Sequence, residues 1–337
     1  MMNIAFCADS KYVEPLCVAI NSVILSNKTE DLKFYIISAD FTDNEKDIVK
    51  GILSKSSDVK ADVVFLSINA AVFSKLPTMA HISIATYYRL LLPEILPDEV
   101  EKILYIDGDL LCLDSLSSFY NQNLEGYAVS AGRDFYNDDV TCYNRLEYPF
   151  ENGYFNAGVL LINLKYWRQN QIAEKAMDFI TKHPEKCDFS DQDALNKTLN
   201  GKVFWTDFRN NCIISFFYHL KDFSKSKISI KYKREIEAAV NNPCIVHFTG
   251  GCKPWHEDYR LAFRNLYHVL YKKTFGKSIP KIYSIHGKEL LKWKAKEFLT
   301  VTGIKKFQKV MQDETFSQVE YVAAKKILGE QNEFYFH

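Results

Sequence analysis

The feature that most constrains this chain is an alternation near its start. Short apolar runs at residues 3–8 (NIAFCA), 32–38 (LKFYIIS) and 61–66 (ADVVFL) are separated by stretches at 12–26 and 43–53 whose apolar residues recur at helical spacing. Continuous apolar runs of that length suit strands buried on both faces, and strand–helix alternation builds βαβ units around a mostly parallel sheet. Thr42 or Asp43 is the expected N-cap of the second helix. In such sheets ligands bind beyond the carboxyl ends of the strands, and Asp9 stands just after the first run.

The pattern continues less regularly. Residues 83–92 (SIATYYRLLL) read as a helix ended by Pro93. Residues 102–106 (KILYI) are the clearest interior strand and run directly into Asp107-Gly108-Asp109. A buried strand is expected at 159–164 (VLLINL), a helix at 191–199 with Ser190 or Asp191 as N-cap, and a short strand at 244–248 (CIVHF) that leads into Thr249-Gly250-Gly251. There are no internal repeats and no low-complexity tract.

Bulk properties exclude several classes. With 337 residues, 47% of them hydrophobic, the chain has ample material for a core and is not disordered. Lys+Arg and Asp+Glu balance at 42 each, so no global field attracts nucleic acid, and no nucleic-acid partner is expected. None of the eight cysteines stands in a C-x-x-C pair, which removes zinc-ribbon and thioredoxin spacings and leaves reduced, mostly buried thiols. The N-terminus lacks the pattern of a signal peptide, and no window approaches ~18 uninterrupted apolar residues. The expected location is cytoplasmic, peripheral on a membrane at most.

Chemistry concentrates at strand ends. Asp107 and Asp109 are two carboxylates at i and i+2 on extended chain, and such residues point to one side. Gly108 between them lets the backbone turn and a ligand approach. Two acids at an apolar strand end repel each other, and a divalent cation relieves the conflict. A plain polar turn is the other reading. His247 ends a second apolar run. Two aspartates and an imidazole make a mixed oxygen and nitrogen site that suits Mn²⁺ better than Mg²⁺, whereas a lone histidine there would be a structural hydrogen-bonding group. Lys253, in GGCKPW, can close over phosphates from a Gly-Gly turn or can be a surface lysine; the spacing is not that of a Walker A loop. Asn156, before the strand at 159, and the Asp191-Gln192-Asp193 cluster can face a substrate's hydroxyls, since sugars need dense hydrogen bonding from such groups, but neither identifies a reaction alone. The acids at 191 and 193 also complement a helix dipole.

Six segments taken together, NIAFCADSKY, HISIATYYRLLLP, KILYIDGDLL, YFNAGVLLINLKYWR, SDQDALN and VHFTGGCKPWH, resemble the retaining glycosyltransferase family 8, which includes bacterial lipopolysaccharide glucosyl- and galactosyltransferases and glycogenin. They run from residue 3 to about 256 in the family's order. The resemblance implies a GT-A fold: an α/β, Rossmann-like, mostly parallel sheet flanked by helices. It implies a catalytic domain at 1–275, its nucleotide-sugar half about 1–110 and its acceptor half about 111–275, followed by a helical tail at 276–337. The implied reaction moves a hexose, glucose or galactose, from a UDP-sugar to a saccharide or lipid-linked saccharide acceptor in cell-surface glycan synthesis. The implied metal ligands are Asp107, Asp109 and His247, holding Mn²⁺ or, failing that, Mg²⁺ at the diphosphate. Ala8, Asp9, His81, Gly108, Gly250 and Lys253 match positions that bind the nucleotide and diphosphate. Arg89, Asp134, Asn156, Ala157, Asp191 and Gln192 match the donor-sugar and acceptor side, and Asp191 and Gln192 are the candidate catalytic groups. Because Gln192 is a poor nucleophile, retention is expected through a front-face path in which the departing diphosphate takes the acceptor's proton.

Two departures accompany the match: Lys11 replaces a small polar residue and Arg133 an apolar one. Residues 277–312 hold nine lysines and two acids interleaved with residues such as Trp293 and Phe298. They suit docking on the anionic inner face of the plasma membrane, the reading favoured by similar tails in lipopolysaccharide-directed relatives; the alternative is a solvated charged face packed against the catalytic domain. The non-enzyme alternative is a catalytically silent UDP-sugar-binding or scaffold protein. A sugar-nucleotide pyrophosphorylase would need a Gly-rich loop after the first strand, where ADSKYVEP has no glycine.

Overall fold

The computed structural model describes residues 1–56, 58–73, 76, 83–219, 228, 230–301 and 314–329. The chain falls into two compact units, Met1–His247 and Phe248–His337.

Among its described residues the first unit carries ten strands: β1 (Met2–Cys7), β2 (Leu32–Ser38), β3 (Ala61–Ser67), β4 (Lys102–Ile106), β5 (Leu110–Cys112), β6 (Val129–Arg133), β7 (Phe155–Asn163), β8 (Val203–Trp205), β9 (Cys212–Ile213) and β10 (Ile245–His247). Seven form one sheet in the order β3-β2-β1-β4-β7-β6-β8. The pairs β1–β2, β2–β3, β1–β4 and β6–β8 are parallel, while β7 runs antiparallel to both β4 and β6. The remaining three make a small second sheet, β5-β10-β9. The expected mostly parallel, helix-flanked sheet is therefore present.

Local sequence accounts for these elements. The helix Asp43–Ser54 begins with a reciprocal cap: Thr42 Oγ1 accepts from Glu45 N (3.3 Å), and Glu45 Oε2 accepts from Thr42 N (2.7 Å). It buries Val49, Ile52 and Leu53, one stripe. The helix Val13–Ser26 is buried from Val13 to Ile24 except at Glu14, which is why its sequence is apolar all round. In β1 and β2 nearly every residue is buried, as continuous apolar runs require of strands covered on both faces.

The structure corrects several expected boundaries. The stretch 83–92 is not an α-helix closed by Pro93. Ile84–Leu91 is a 3-10 helix, and Pro93 lies in the first turn of a short α-helix, Leu92–Ile95. A proline is tolerated there because its missing N–H has no partner in a first turn. The strand expected at 159–164 begins four residues earlier, at Phe155. Ser190 precedes the helix Asp191–Thr198, but neither it nor Asp191 makes a side-chain cap; the Asp191 carboxylate is used elsewhere. Seven of the eight cysteines are buried and all are free thiols.

The second unit contains the helices Arg264–Phe275, Gly287–Val301 and Glu314–Leu328. Trp293 packs edge-on against Tyr283 (ring centroids 5.5 Å apart) and beneath Arg260 (4.8 Å). Lys288, Lys292, Lys294 and Lys296 are exposed on the same helix. Among the described residues no helix is long and apolar enough to cross a membrane.

Candidate active site

The site begins where β4 ends. Asp107 is tied to the neighbouring strand by its own N–H, which donates to Gly158 O (2.8 Å). Two residues on, Asp109 opens into β5, and β5 pairs antiparallel with β10 so that Leu110 lies opposite His247. That register delivers a residue from the far end of the unit to the two aspartates. His247 Nε2 stands 3.3 Å from Asp109 Oδ1 and 3.8 Å from Asp107 Oδ2. One ligand atom from each of the three lies within 4.8 Å of the others.

Two further observations fit this trio to a divalent cation. The donor set is two hard oxygens and one imidazole nitrogen, a set that suits manganese. The space around it depends on Gly158: a Cβ there would lie 2.2 Å from His247 Cε1 and 2.7 Å from Asp107 Oδ2. Glycine is the residue that lets β7 pass this close. Gly108 is less constrained, since a Cβ would meet the Tyr12 ring at 3.1 Å.

Arg89 organises the next layer. It is buried, with Nε 2.6 Å from Asp191 Oδ2, Nη1 3.3 Å from Asp107 Oδ1 and Nη1 donating to Ala157 O (2.6 Å). Its guanidinium lies 4.9 Å over the Tyr105 ring, and the Tyr105 hydroxyl donates to Asp107 Oδ1. Burial works against the Arg89 charge, but Asp191, Tyr105 and Asp107 more than offset it and hold its pKa above the usual arginine value. Asp191 also accepts from the Thr86 hydroxyl (2.9 Å). Burial raises its pKa above the usual carboxylate range, against the pull of Arg89 and Thr86.

On the other flank lie Asp134, Asn156 and Gln192. Asp134 Oδ2 accepts from Asn156 Nδ2 (2.9 Å) and more distantly from Gln192 Nε2 (3.5 Å), while Oδ1 accepts from Tyr136 N (3.0 Å). Burial pushes its pKa up and these hydrogen bonds pull it back. Gln192 Oε1 accepts from Ala157 N (3.0 Å) and Nε2 donates to the Tyr154 hydroxyl (3.1 Å), so the amide is held at both ends. Ala157 contributes its backbone alone.

The nucleotide-side residues are placed less uniformly. Ala8 is buried and its N–H donates to Ile37 O (3.1 Å). Asp9 accepts from the Ser83 hydroxyl (2.6 Å) and from Lys11 N (3.1 Å), just past the carboxyl end of β1, which is parallel to β4. His81 lies outside the described residues. Gly250 and Lys253 belong to the second unit; Gly250 has φ +89°, and Lys253 Nζ donates to Phe248 O (2.6 Å).

Sequence reasoning passes over four participants: Gly158, Asn211, Thr86 and Tyr105. Gly158 carried a usable signal, a glycine inside an apolar strand. Asn211, Thr86 and Tyr105 carried none, because their roles depend on partners far off in sequence.

A mostly parallel sheet with two aspartates and a histidine gathered beyond its carboxyl edge, flanked by buried amides and acids, defines the GT-A class of sugar-transferring enzymes. The model of glycosyl transferase family 8 matches residues 3–259, and the chain belongs to that family. It is 29% identical over 276 residues to general stress protein A of Bacillus subtilis, covering 79% of this chain and 92% of that one. It is 28% identical over 257 residues to a lipopolysaccharide 1,2-glucosyltransferase of Escherichia coli K12, covering 76% and 73%. Among solved structures, the galactosyltransferase LgtC in complex with donor and acceptor sugar analogues superposes with a TM-score of 0.73 at 28% identity, covering 88% of this chain and all of that one.

Proposed function

We propose that the chain is a metal-dependent hexosyltransferase that moves glucose or galactose from a UDP-sugar to a saccharide acceptor, with retention, in bacterial cell-surface glycan synthesis. The observation that carries this reading is the convergence of Asp107, Asp109 and His247 at one point. Asp107, Asp109 and His247 would hold a divalent cation, Mn²⁺ by the donor set, which would supply positive charge to the diphosphate leaving group. Asp9, Ala8 and His81 receive the nucleotide, and the family match at Gly250 and Lys253 supports a phosphate-binding role for that loop. The relatives' printed activities, glucosyl and galactosyl transfer among them, support the hexose.

In the reaction the bond between the anomeric carbon and the β-phosphate oxygen breaks. The acceptor hydroxyl oxygen bonds to the same face of that carbon, and its proton passes to the departing phosphate oxygen. The side chains available for the alternative, a covalent intermediate, are poorly suited to it. Asp191 is buried and gripped by Arg89, and Gln192 is an amide whose oxygen is already engaged. Both are better fitted to orient the donor sugar, with Asp134 and Asn156 beside them. The exposed lysines of Gly287–Val301 support a peripheral docking role on an anionic inner membrane, with residues 1–275 as the catalytic part and 276–337 as the tail.

A donor panel of UDP-glucose, UDP-galactose and UDP-N-acetylglucosamine with Mn²⁺ tests the reading through UDP release. Release from one hexose donor, lost on chelation, is expected. Binding of UDP and Mn²⁺ without turnover of any donor, even with saccharide acceptors present, would mark a silent binding protein instead. Absence of Mn²⁺-dependent UDP binding would overturn the assignment altogether.

A further inference from the structure

His247 faces the two carboxylates through Nε2 and presents Nδ1 to Asn211 Oδ1 at 3.1 Å. A neutral imidazole carries a single N–H, and only the nitrogen without it can ligate a cation. The hydrogen bonds around this ring leave one arrangement. The Gly158 N–H is a backbone donor whose sense is fixed, and it lies 3.0 Å from one terminal atom of Asn156. That atom is therefore the oxygen, Oδ1. The Asn156 nitrogen then points at Asp134 Oδ2 (2.9 Å), a carboxylate oxygen that also accepts from Gln192.

The same Asn156 oxygen meets Asn211 at 2.9 Å, so the Asn211 atom there is the donor, Nδ2. Asn211 must then turn its oxygen toward His247, and Nδ1 is the nitrogen that bears hydrogen. Nε2 is the ring nitrogen that faces Asp107 and Asp109, and its lone pair is the one available to a cation held there. Every member of this chain is buried: Asn211 is 1% exposed, His247 3%, Asp134 5% and Asn156 7%. Buried amides with all their partners in place have no water to turn toward.

We propose that Asn211, braced by Asn156, is a positioning residue that holds His247 in its Nδ1–H form and so prepares Nε2 as a metal ligand. The ligand half of this inference rests on the metal reading given above; the tautomer half does not. Asn211 lies 36 residues from His247, at the end of the 3-10 helix Phe208–Asn211 that runs directly into β9, the strand paired in parallel with β10. The small second sheet therefore sets both the ligand and its brace.

The test uses the full chain with ¹⁵N-labelled histidine. Long-range ¹H–¹⁵N spectra of the metal-free protein, with His247→Gln for assignment, read the tautomer directly. The wild type should show Nδ1–H, and Nε2–H with no hydrogen on Nδ1 overturns the proposal with no variant needed. Mn²⁺ affinity is then measured by electron paramagnetic resonance. Asn211→Asp keeps an acceptor toward Nδ1 while giving up the donor to Asn156 Oδ1, so His247 should keep its Nδ1–H form in the ¹H–¹⁵N spectra. Asn211→Leu removes the acceptor and should lose about 10–100-fold, with His247 shifting to mixed tautomers. If Asn211→Leu fails to fold, Asn156→Leu removes the brace without touching His247 and should show the same tautomer mixing. Unchanged tautomer and affinity in a folded Asn211→Leu, with Asp109→Asn abolishing binding, overturns the role of Asn211 and leaves the metal site standing. Nδ1–H in a wild type that binds no Mn²⁺ overturns the metal reading and upholds the tautomer assignment.

Discussion

The chain contains two Asp-x-Asp sequences that the first unit treats in opposite ways. Asp191 and Asp193 are 1% and 0% exposed, and each is gripped by an arginine: Arg89 at 2.6 Å and Arg145 at 2.8 Å. Asp107 and Asp109 retain side-chain exposures of 27% and 11% and meet across one imidazole. The first pair has its countercharges built in and is sealed. The second is less deeply covered and shares a ring that can offer a lone pair. An identical spacing of acids thus yields a deeply buried ion-pair cluster at a helix start and, at a strand end, a cluster with the donor set of a cation site. Depth of burial makes the difference, since Arg89 reaches Asp107 as well (3.3 Å).

The comparison predicts opposite phenotypes. Asp109→Asn should lower Mn²⁺-dependent UDP release by roughly 10²–10³-fold, since a lost charge contact at a leaving group costs about 3–4 kcal/mol of transition-state stabilisation. Its melting temperature should move by less than about 2 °C, because a carboxylate is removed from a like-charged neighbour. Arg145→Met should do the reverse. It strips Asp193 of two guanidinium hydrogen bonds, at 2.8 and 3.2 Å, and leaves a buried carboxylate uncompensated. Breaking such a pair costs about 3–5 kcal/mol, to be read by urea unfolding. A stable Arg145→Met beside an unfolded Asp109→Asn would invert the comparison.

A smaller effect is expected at the two glycines nearest the strand-end pair. Gly158→Ala places a methyl group 2.2 Å from His247 Cε1, which must move, and should weaken Mn²⁺ binding about 100-fold in a paramagnetic resonance titration. Gly108→Ala meets the Tyr12 ring at 3.1 Å and Leu16 Cα at an ordinary 3.8 Å, and should cost no more than about tenfold. Equal losses would mean that the cradle is set by the loop and not by β7.

The strand-end pair was legible in the sequence and the way it is built was not. Asp107 and Asp109 follow an apolar run, and His247 ends another, so strand-end chemistry could be read without coordinates. The sheet was legible where strands are continuous apolar runs, as in β1, β2 and β4. It was obscure where they are short or interrupted: β6 contains Gly132, β9 has two residues, and β5 begins at the residue after Asp109. Pro93 misled because proline stops a helix in its interior but suits its first turn, and local sequence does not say which applies. The sealed pair was visible as a polar cluster. Its arginines were not assignable to it, since Arg89 lies 102 residues from Asp191 and only packing brings them together.

A buried acid in the second unit extends the contrast to a case whose partners are amides and not arginines. Glu320 is 6% exposed and accepts from Leu266 N (2.6 Å), at the start of the helix Arg264–Phe275. Burial raises its pKa to about 7, while the amides of Leu266, Phe263 and Asn265 pull the other way. A carboxyl whose folded pKa lies above its unfolded value binds its proton more tightly in the folded state. Its stabilising contribution is complete below the unfolded value, near 4.5, and is lost as pH rises through about 7. Between pH 5 and pH 7.5 the wild type should therefore lose about 2 kcal/mol relative to Glu320→Gln, whose amide accepts the same hydrogen bond without titrating. Urea unfolding of both proteins across that range measures the difference. If the two curves stay parallel, the N-terminal amides of the helix compensate the buried charge fully, and a helix start serves an acid as well as an arginine does.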